Sequence, residues 1–528
     1  MPDIEVPVLI VGGSLVGLSS ALLLARQGIR TLTVEHHRGT AIHPRAAQMN
    51  PRTLEVLRSV GLDQVALRKS EEQFVQEGAV MAVEALAGKE LAWYVPNINE
   101  GTREVSPCPR VFLTQNLLEP LLKSRAQELG AELRFGTDML SFEQDADSVS
   151  AVIRDRDSGT AATVRARYMI AADGSHSRVR DSLQIPMLGR GVLSRSVTIY
   201  FRGNVGPLLR GRNLSVIYVY NSELTGFFRI EKPFDSGFLA VNSIGPPERP
   251  DTNVWSSLSD ENCRRRLRAS LGEDVPLAIE NVMKWEATAD TAERFVDGRI
   301  FLAGDAAHSM PPTGGFGGNT GVEDARNLAW KLAFVLRGLA PPALLKTYEA
   351  ERRPIGAFTV EQAYSRYVTR WAPYLGTQDI APIANDLDID LGYRYRSPAV
   401  IADGADDSRL LEPTKEMRGR PGTRAPHTWI ERDGQSISTL DLFDPGFTLL
   451  AGPDGAAWCT SAAAAAAQAG VPLDTHVIEA EHFPEAYGIS ALGGVIVRPD
   501  GVVGWRATGD GDTSAATIVR ALDAILCR

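Results

Sequence analysis

The chain has 528 residues, a formal net charge of −10, 44% hydrophobic residues and 23% charged ones. It is too long for a single core, ordinary in composition for a globular protein, and its acidic balance leaves no basic footprint for nucleic acid. Cys108, Cys263, Cys459 and Cys527 form no CxxC pair, which argues against a disulfide framework and a zinc site and fits reduced thiols in a cytoplasmic protein. No apolar stretch reaches about 18 residues and nothing at the start resembles a signal peptide, so no membrane span is expected.

Residues 6–11 read as a buried strand, Gly12-Gly13-Ser14-Leu15-Val16-Gly17 as its turn, 18–26 as a helix, and 31–34 as a second strand ending in Glu35. This is a βαβ unit with the dinucleotide fingerprint G-x-G-x-x-G, except that Ser14 stands at the second glycine. Gly12, Ser14, Leu15, Val16 and Gly17 are the candidate phosphate cradle, with the Ser14 hydroxyl expected to donate to phosphate. Glu35 falls about 20 residues on, where an acid receives ribose hydroxyls; it would repel a 2′-phosphate, which points to FAD or NAD rather than NADP.

From about 185 to 290 the pattern alternates, with strands expected at 197–201, 216–220, 226–230 and 238–241. Tyr218, Tyr220, Phe228 and Trp285 are candidates for lining a flat apolar pocket, although an aromatic in such a strand is more often plain core. At 300–303 an apolar strand stops at Gly304-Asp305, putting a carboxylate where open α/β sheets bind ligands. The loop Gly314-Gly315-Phe316-Gly317-Gly318 lets backbone amides approach a flat or anionic ligand, and a helix follows from Asn319, its N-terminus facing the loop.

A further helix is expected from near Phe358, carrying Tyr364, Arg366, Tyr367, Arg370 and Trp371 in a mixture too polar for a buried face. Beyond a Gly/Pro-rich linker at 403–422 come a strand at 447–451, a helix through the alanines of 462–467, a hairpin turned by Pro499-Asp500-Gly501, and a helix near 515–526. This order resembles a thioredoxin-like domain. Trp458-Cys459 stands where a WCxxC might, but Ala462 replaces the second cysteine, excluding dithiol chemistry there.

The fingerprint, Asp173-Gly174 within ADGSHSRVR, and Gly304-Asp305 within LAGDAAH together resemble the single-component flavoprotein aromatic hydroxylases, the p-hydroxybenzoate hydroxylase class. Pro44-Arg45-Ala46, Asn50-Pro51-Arg52-Thr53, Gln115, and Tyr348-Glu349 with Glu351-Arg352-Arg353-Pro354 extend the likeness. GYRYRSPAV at 392–400, RPGTRAPHTW at 420–429 and STLDLF at 438–443 are similar to the anthracycline and angucycline polyketide hydroxylases.

The resemblance implies an α/β protein: a Rossmann-like FAD-binding domain from 1–70, 108–180 and 286–365, and an inserted mixed β-sheet substrate domain from 71–107 and 181–285. A linking segment at 366–402 and a C-terminal thioredoxin-like domain at 403–528 complete it. It implies that Arg45, Gln115, Asp173, Gly174, Asp305, Gly317, Gly318 and Asn319 serve a noncovalent FAD, the last two through backbone N–H groups at the flavin carbonyl. Pro312 would matter through loop geometry, and Arg370 would stabilise a phenolate substrate. His308 reads as structural, and no histidine has metal-ligand spacing.

The implied activity is hydroxylation of an aromatic, polycyclic polyketide-type substrate through a C4a-hydroperoxyflavin, with NAD(P)H as transient reductant and O2 as co-substrate. Baeyer–Villiger insertion on the same scaffold and a non-catalytic ligand-binding flavoprotein are the alternatives. A homodimer stays open as the assembly.

Overall fold

Ile4–Val11 lies in the middle of a parallel sheet, which is why it is an almost unbroken apolar run: both of its faces are covered. The computed structural model describes residues 2–42, 47–243, 253–404, 408–443, 445–509 and 511–528. Thr31–Glu35 and Ala161–Ala171 pair parallel on either side of the first strand, and Glu132–Phe135 and Ile300–Leu302 continue the sheet outward. Helices Leu15–Arg26 and Gly317–Leu336 pack against each other. The glycine loop is thereby held above the strand ends.

The second sheet has eight strands: His308–Ser309, Ala278–Ala292, Met187–Arg202, Ser236–Asn242, Thr225–Glu231, Leu214–Tyr220, Ala79–Val83 and Glu90–Val95, in spatial order. All four strands expected between 197 and 241 are present. One face, with Val197, Ile199, Phe201, Ile217, Phe228 and Leu239, packs on Cys263, Leu267 and Leu271 of helix Asp260–Leu271. The other face, with Tyr200, Phe238 and Ala240, packs on Tyr364, Tyr367, Val368 and Trp371.

Those last residues belong to a single helix, Ala343–Arg370, which runs through Pro354 and does not begin near Phe358. It also runs past the domain boundary expected at 365. Arg366 is buried there, contrary to the reading of this stretch as too polar for the interior. Its Nη2 donates to Asp386 Oδ1 at 2.5 Å and to the Ala384 carbonyl at 2.6 Å, and Nη1 donates to Gln362 Oε1 at 3.0 Å. A buried cation is tolerated when an acid and carbonyl acceptors compensate it, as both Nη groups find here while Nε is left without a partner.

The C-terminal sheet runs Leu473–Val477, Phe447–Ala451, Gly494–Val497, Val503–Ala507, with helices Ala456–Ala469 and Ala515–Ile525. The expected elements are all there. Leu473–Val477 is an addition, an edge strand too polar to stand out in the sequence. Trp458 is buried and donates from Nε1 to the Leu492 carbonyl at 2.9 Å, and burial pushes the Cys459 thiol up. Phe447 packs at 5.6 Å and 6.1 Å on the rings of Phe334 and Trp330, so this sheet shares a core with helix Gly317–Leu336.

A buried ion cluster fixes that docking. Arg498 binds Glu351 with both Nη groups, at 2.7 and 2.8 Å, and also binds Asp500, while Lys331 Nζ reaches Glu351 at 2.7 Å. Burial opposes the Glu351 charge, yet Arg498 and Lys331 hold the carboxyl well below its usual range. Glu351→Gln leaves two buried cations with Asp500 alone, and a loss of about 3–5 kcal/mol in unfolding free energy is expected. Denaturant unfolding checks it, and a change below about 1 kcal/mol would mean that water screens the cluster.

Candidate active site

The fingerprint turn is built by contacts that tolerate no side chain. Gly12 has φ +104°, and a Cβ there would sit 2.2 Å from the Ala172 carbonyl oxygen; one on Gly17 would sit 1.8 Å from the Gly12 oxygen. The first backbone bond of the helix is Leu18 N–H to the Ser14 carbonyl at 2.8 Å, so the N–H groups of Leu15, Val16 and Gly17 lack helical acceptors, the geometry of an anion site. The Leu15 and Val16 side chains do not face that site. Leu15 is core, and Val16 Cγ2 would lie 2.7 and 2.5 Å from a Cβ placed on Gly304 or Gly321.

Ser14 departs from expectation. Its hydroxyl donates to Glu119 Oε1 at 2.6 Å and so is not a free donor for phosphate. Gln115 Nε2 donates to both Ser14 Oγ and Glu119 Oε1 at 2.6 Å, and the second Glu119 oxygen takes the Ala41 N–H at 2.7 Å. The buried Glu119 was not singled out from the sequence, where it sits unmarked in a helical run. Glu35 accepts the Gly13 N–H at 2.6 Å and the His37 N–H at 2.8 Å, standing at the strand end as expected. Arg45 lies outside the described residues.

The other half of the cradle comes from distant chain. Asp305 is exposed, and a Cβ on Gly317 would lie 4.0 Å from its Oδ1. The N–H groups of Gly317, Gly318 and Asn319 precede the helix's first bond, Thr320 to the Phe316 carbonyl at 2.9 Å. The Asn319 side chain pins the loop: Oδ1 accepts the Asn50 N–H and the Thr53 hydroxyl, and Nδ2 donates to the Gln48 and Gly315 carbonyls. Pro312 is exposed, and its carbonyl accepts the Gly315 N–H at 3.1 Å, closing the turn before the loop.

Asp173 spends both oxygens on its own turn, accepting the Ser177 hydroxyl at 2.6 Å and the Val179 N–H at 3.2 Å, with Gly174 at φ +84°. Burial raises its carboxyl. Asp173 and Gly174 thus form a strand-to-helix turn that adjoins the cradle through Ala172. His308 is structural as expected: fully buried, with Nε2 2.7 Å from Asp324 Oδ2. Among the described residues no His, Cys, Asp or Glu cluster suits a metal ion.

Tyr218 and Tyr220 project from one face of the second sheet as stacked rings 6.3 Å apart, with Tyr94 edge-on to Tyr218 at 5.8 Å and Phe227 at 6.0 Å. Trp371 meets Phe227 at 5.3 Å and Trp285 at 5.9 Å. The Arg370 guanidinium sits 5.4 Å from the Tyr94 ring, and the Tyr220 hydroxyl donates to the Arg370 carbonyl. Phe228 does not belong to this face. Strand parity turns it into the opposite core against Phe201, and its neighbour Phe227 takes the place expected of it. Tyr94 and Phe227 were missed; for Phe227 the two-residue alternation was the available signal.

A cavity of about 170 Å³ lined by Arg52, Glu55, Arg58, Arg326, Trp330 and Asp441 lies under the C-terminal domain and shares no residue with the cradle or the aromatic face.

Residues 5–363 match the family model of an FAD binding domain, and 418–528 that of an aromatic-ring hydroxylase C-terminal domain. The chain belongs to the FAD-dependent aromatic-ring hydroxylases. It is 49% identical, over all of its length and 98% of the relative's, to a 4-methyl-5-nitrocatechol 5-monooxygenase of a Burkholderia species. It is 39% identical to a tetracenomycin B2 monooxygenase-dioxygenase of Streptomyces olivaceus, covering 100% and 99% of the two chains. Among solved structures, aklavinone-11 hydroxylase in complex with FAD and aklavinone aligns with a TM-score of 0.92 at 36% identity over 100% of both chains. The protein is thus a flavoprotein monooxygenase with FAD as cofactor, and the two glycine-lined sets of backbone donors fit a dinucleotide's phosphates and a flavin's carbonyl edge.

Glu35→Ala and Asp305→Ala should each remove one or two hydrogen bonds to cofactor hydroxyls, about 1–3 kcal/mol, or roughly a five- to hundredfold loss in FAD affinity. Titration of the apoprotein with FAD measures this; unchanged affinity in both variants would put the cofactor elsewhere.

Proposed function

We propose that the chain is an NAD(P)H-consuming hydroxylase of a phenolic aromatic ring. The supporting observation is that Met310 packs on the cluster of Trp371, Phe227 and Trp285 and lies 3.6 Å from where a Cβ on Gly317 would stand, which links the aromatic face, with Arg370 beside it, to the glycine loop that suits a flavin edge. When bound, the flavin supplies the reductive activation of O2, with two electrons from NAD(P)H; one oxygen atom enters a ring C–H and the other leaves as water. The protein's part is to position and exclude water. Tyr218, Tyr220, Phe227 and Trp371 offer flat apolar surfaces to a ring. The turn closed by Pro312 fixes the loop, and the Tyr220 bond to the Arg370 carbonyl anchors the last helical turn.

Arg370 has no carboxylate within ion-pair reach among the described residues, leaving its charge for a phenolate, the more reactive form of the substrate toward an electrophilic oxygen. The polyketide-type relatives favour a polycyclic substrate. The nitrocatechol relative, at 49% identity, supports a single-ring phenol as a second reading.

Incubation with candidate phenols under labelled O2, following NAD(P)H loss and product mass, tests the proposal; a product with oxygen inserted between two carbons would assign Baeyer–Villiger chemistry instead. For Arg370→Met, normal FAD content and flavin reduction are expected, with hydroxylation slower on the order of ten- to a hundredfold and more reductant lost as hydrogen peroxide. A variant as tightly coupled as the parent across pH would make Arg370 an ordinary surface arginine.

A further inference from the structure

Arg229 lies on strand Thr225–Glu231 and shares the parity of Phe227, so it projects from the aromatic face and not into the core beneath. It is only 7% exposed. Its guanidinium stacks 3.9 Å from the centre of the Phe112 ring and 5.7 Å from that of Phe74. Phe112 pairs in register with Gln48, whose Cβ lies 3.0 Å from where a Cβ on Gly315 would stand, so two residues, Phe112 and Gln48, link Arg229 to the glycine loop. Tyr218 is electrostatically coupled to both Arg229 and Arg370.

This cation lacks a counterion. Among the described residues no carboxylate lies within 4 Å of it, and its buried Nη1 has no hydrogen-bond partner. Glu231, two residues along, takes a bond from Gln73 at 3.4 Å; burial raises its carboxyl, and its cationic neighbour is Arg202. Burial pushes the Arg229 guanidinium down to about 9, which still leaves it charged at neutral pH. Every other fully buried arginine named above is bound to an acid. An arginine kept buried and unpaired beside an aromatic slot costs stability in the free protein and is offset when a ligand brings the anion.

The geometry points to Arg229 as a specificity residue that binds a planar two-oxygen substituent, nitro or carboxylate, on the aromatic substrate, so that the preferred substrate is an anionic ring. The guanidinium fork matches two oxygens in one plane. The inference rests on the hydroxylase reading of this site.

The test uses the FAD-loaded protein at mildly alkaline pH, with binding followed by flavin absorbance. The probes are 4-nitrocatechol, 3,4-dihydroxybenzoate and the neutral 4-methylcatechol, and the nitro and carboxylate arms separate the two substituents. In Arg229→Met, affinity for at least one anionic probe should fall roughly tenfold or more while that for 4-methylcatechol changes about threefold at most, and Arg229→Lys should recover part of the loss. FAD content reports whether each variant is folded. Equal losses for all three probes, no loss for either anion, or a parent protein that binds neither anion would overturn the inference. If the anions bind through Arg229 but no oxygen enters them or any other ring, the hydroxylase reading falls and the anion site stands; if the neutral ring alone is bound and hydroxylated, the reverse holds.

Discussion

The Asp324 carboxylate holds the catalytic half of the molecule together. One oxygen takes the Gly304 N–H at 3.0 Å and His308 Nε2 at 2.7 Å; the other takes Arg352 Nε at 2.8 Å. Burial works against its charge, and His308 and Arg352 outweigh that and keep it ionised below the usual range. The chain that must bear Asp305, the loop, and the two long helices meet at this carboxylate. Arg352 extends the link to the Thr320 carbonyl and the Tyr395 hydroxyl. A site that works through backbone N–H direction depends on such a fastening, because a loop with glycine at four of its five positions has only the buried Phe316 side chain with which to hold a shape.

A second charged cluster performs the same task for the C-terminal domain. Arg52 contacts Glu323 at 3.2 Å, Glu55 at 3.2 Å and the Asp500 carbonyl at 3.0 Å, and Arg424 reaches Glu55 from the segment ahead of the C-terminal sheet. Burial opposes the Glu55 charge, but Arg424 and Arg52 bring its carboxyl down to about 2. With one apolar seam through Phe447 and these directional pairs, the C-terminal domain acts as a buttress for the helices behind the cofactor cradle. Apolar burial supplies the attraction and the ion pairs supply the register.

The parts of the fold carried by local rules were legible in the sequence. The βαβ unit, the alternating strands and the Pro-Asp-Gly hairpin each rest on a period or a turn residue within a few positions. What failed was long-range. The helix expected from near Phe358 begins at Ala343 and runs through Pro354, and its Arg366 and Tyr367 look solvent-facing until Asp386, Ser194 and Asn242 are seen to receive them. Ser14 was read as a phosphate donor because Glu119, 105 positions away, is invisible to any window around the fingerprint. Glu351-Arg352 was matched as a motif without a role; Glu351 holds Arg498 and Lys331, and Arg352 holds Asp324. Phe228 was a parity error that the strand pattern itself could have corrected.

Two cations without acid partners, Arg370 and Arg229, stand beside the stacked tyrosines, and this shapes what the face can do. Burial pushes the Tyr218 and Tyr220 phenols up, Arg370 pulling both back only in part, so both remain protonated at neutral pH. Neither can serve as a base. The cations beside these rings are Arg370 and Arg229, and no acid is within ion-pair reach of either among the described residues. On the proposed function, a substrate that enters as a neutral phenol would lose its proton to water or to a mobile acceptor, not to either tyrosine, and the ring that profits most would be one whose negative charge both guanidiniums share. The cradle's backbone donors also favour negative charge, on the neighbouring cofactor edge. On the proposed function, a substrate anion and a reduced cofactor would repel in water, whereas the guanidiniums and the backbone dipoles would give each its own compensating charge.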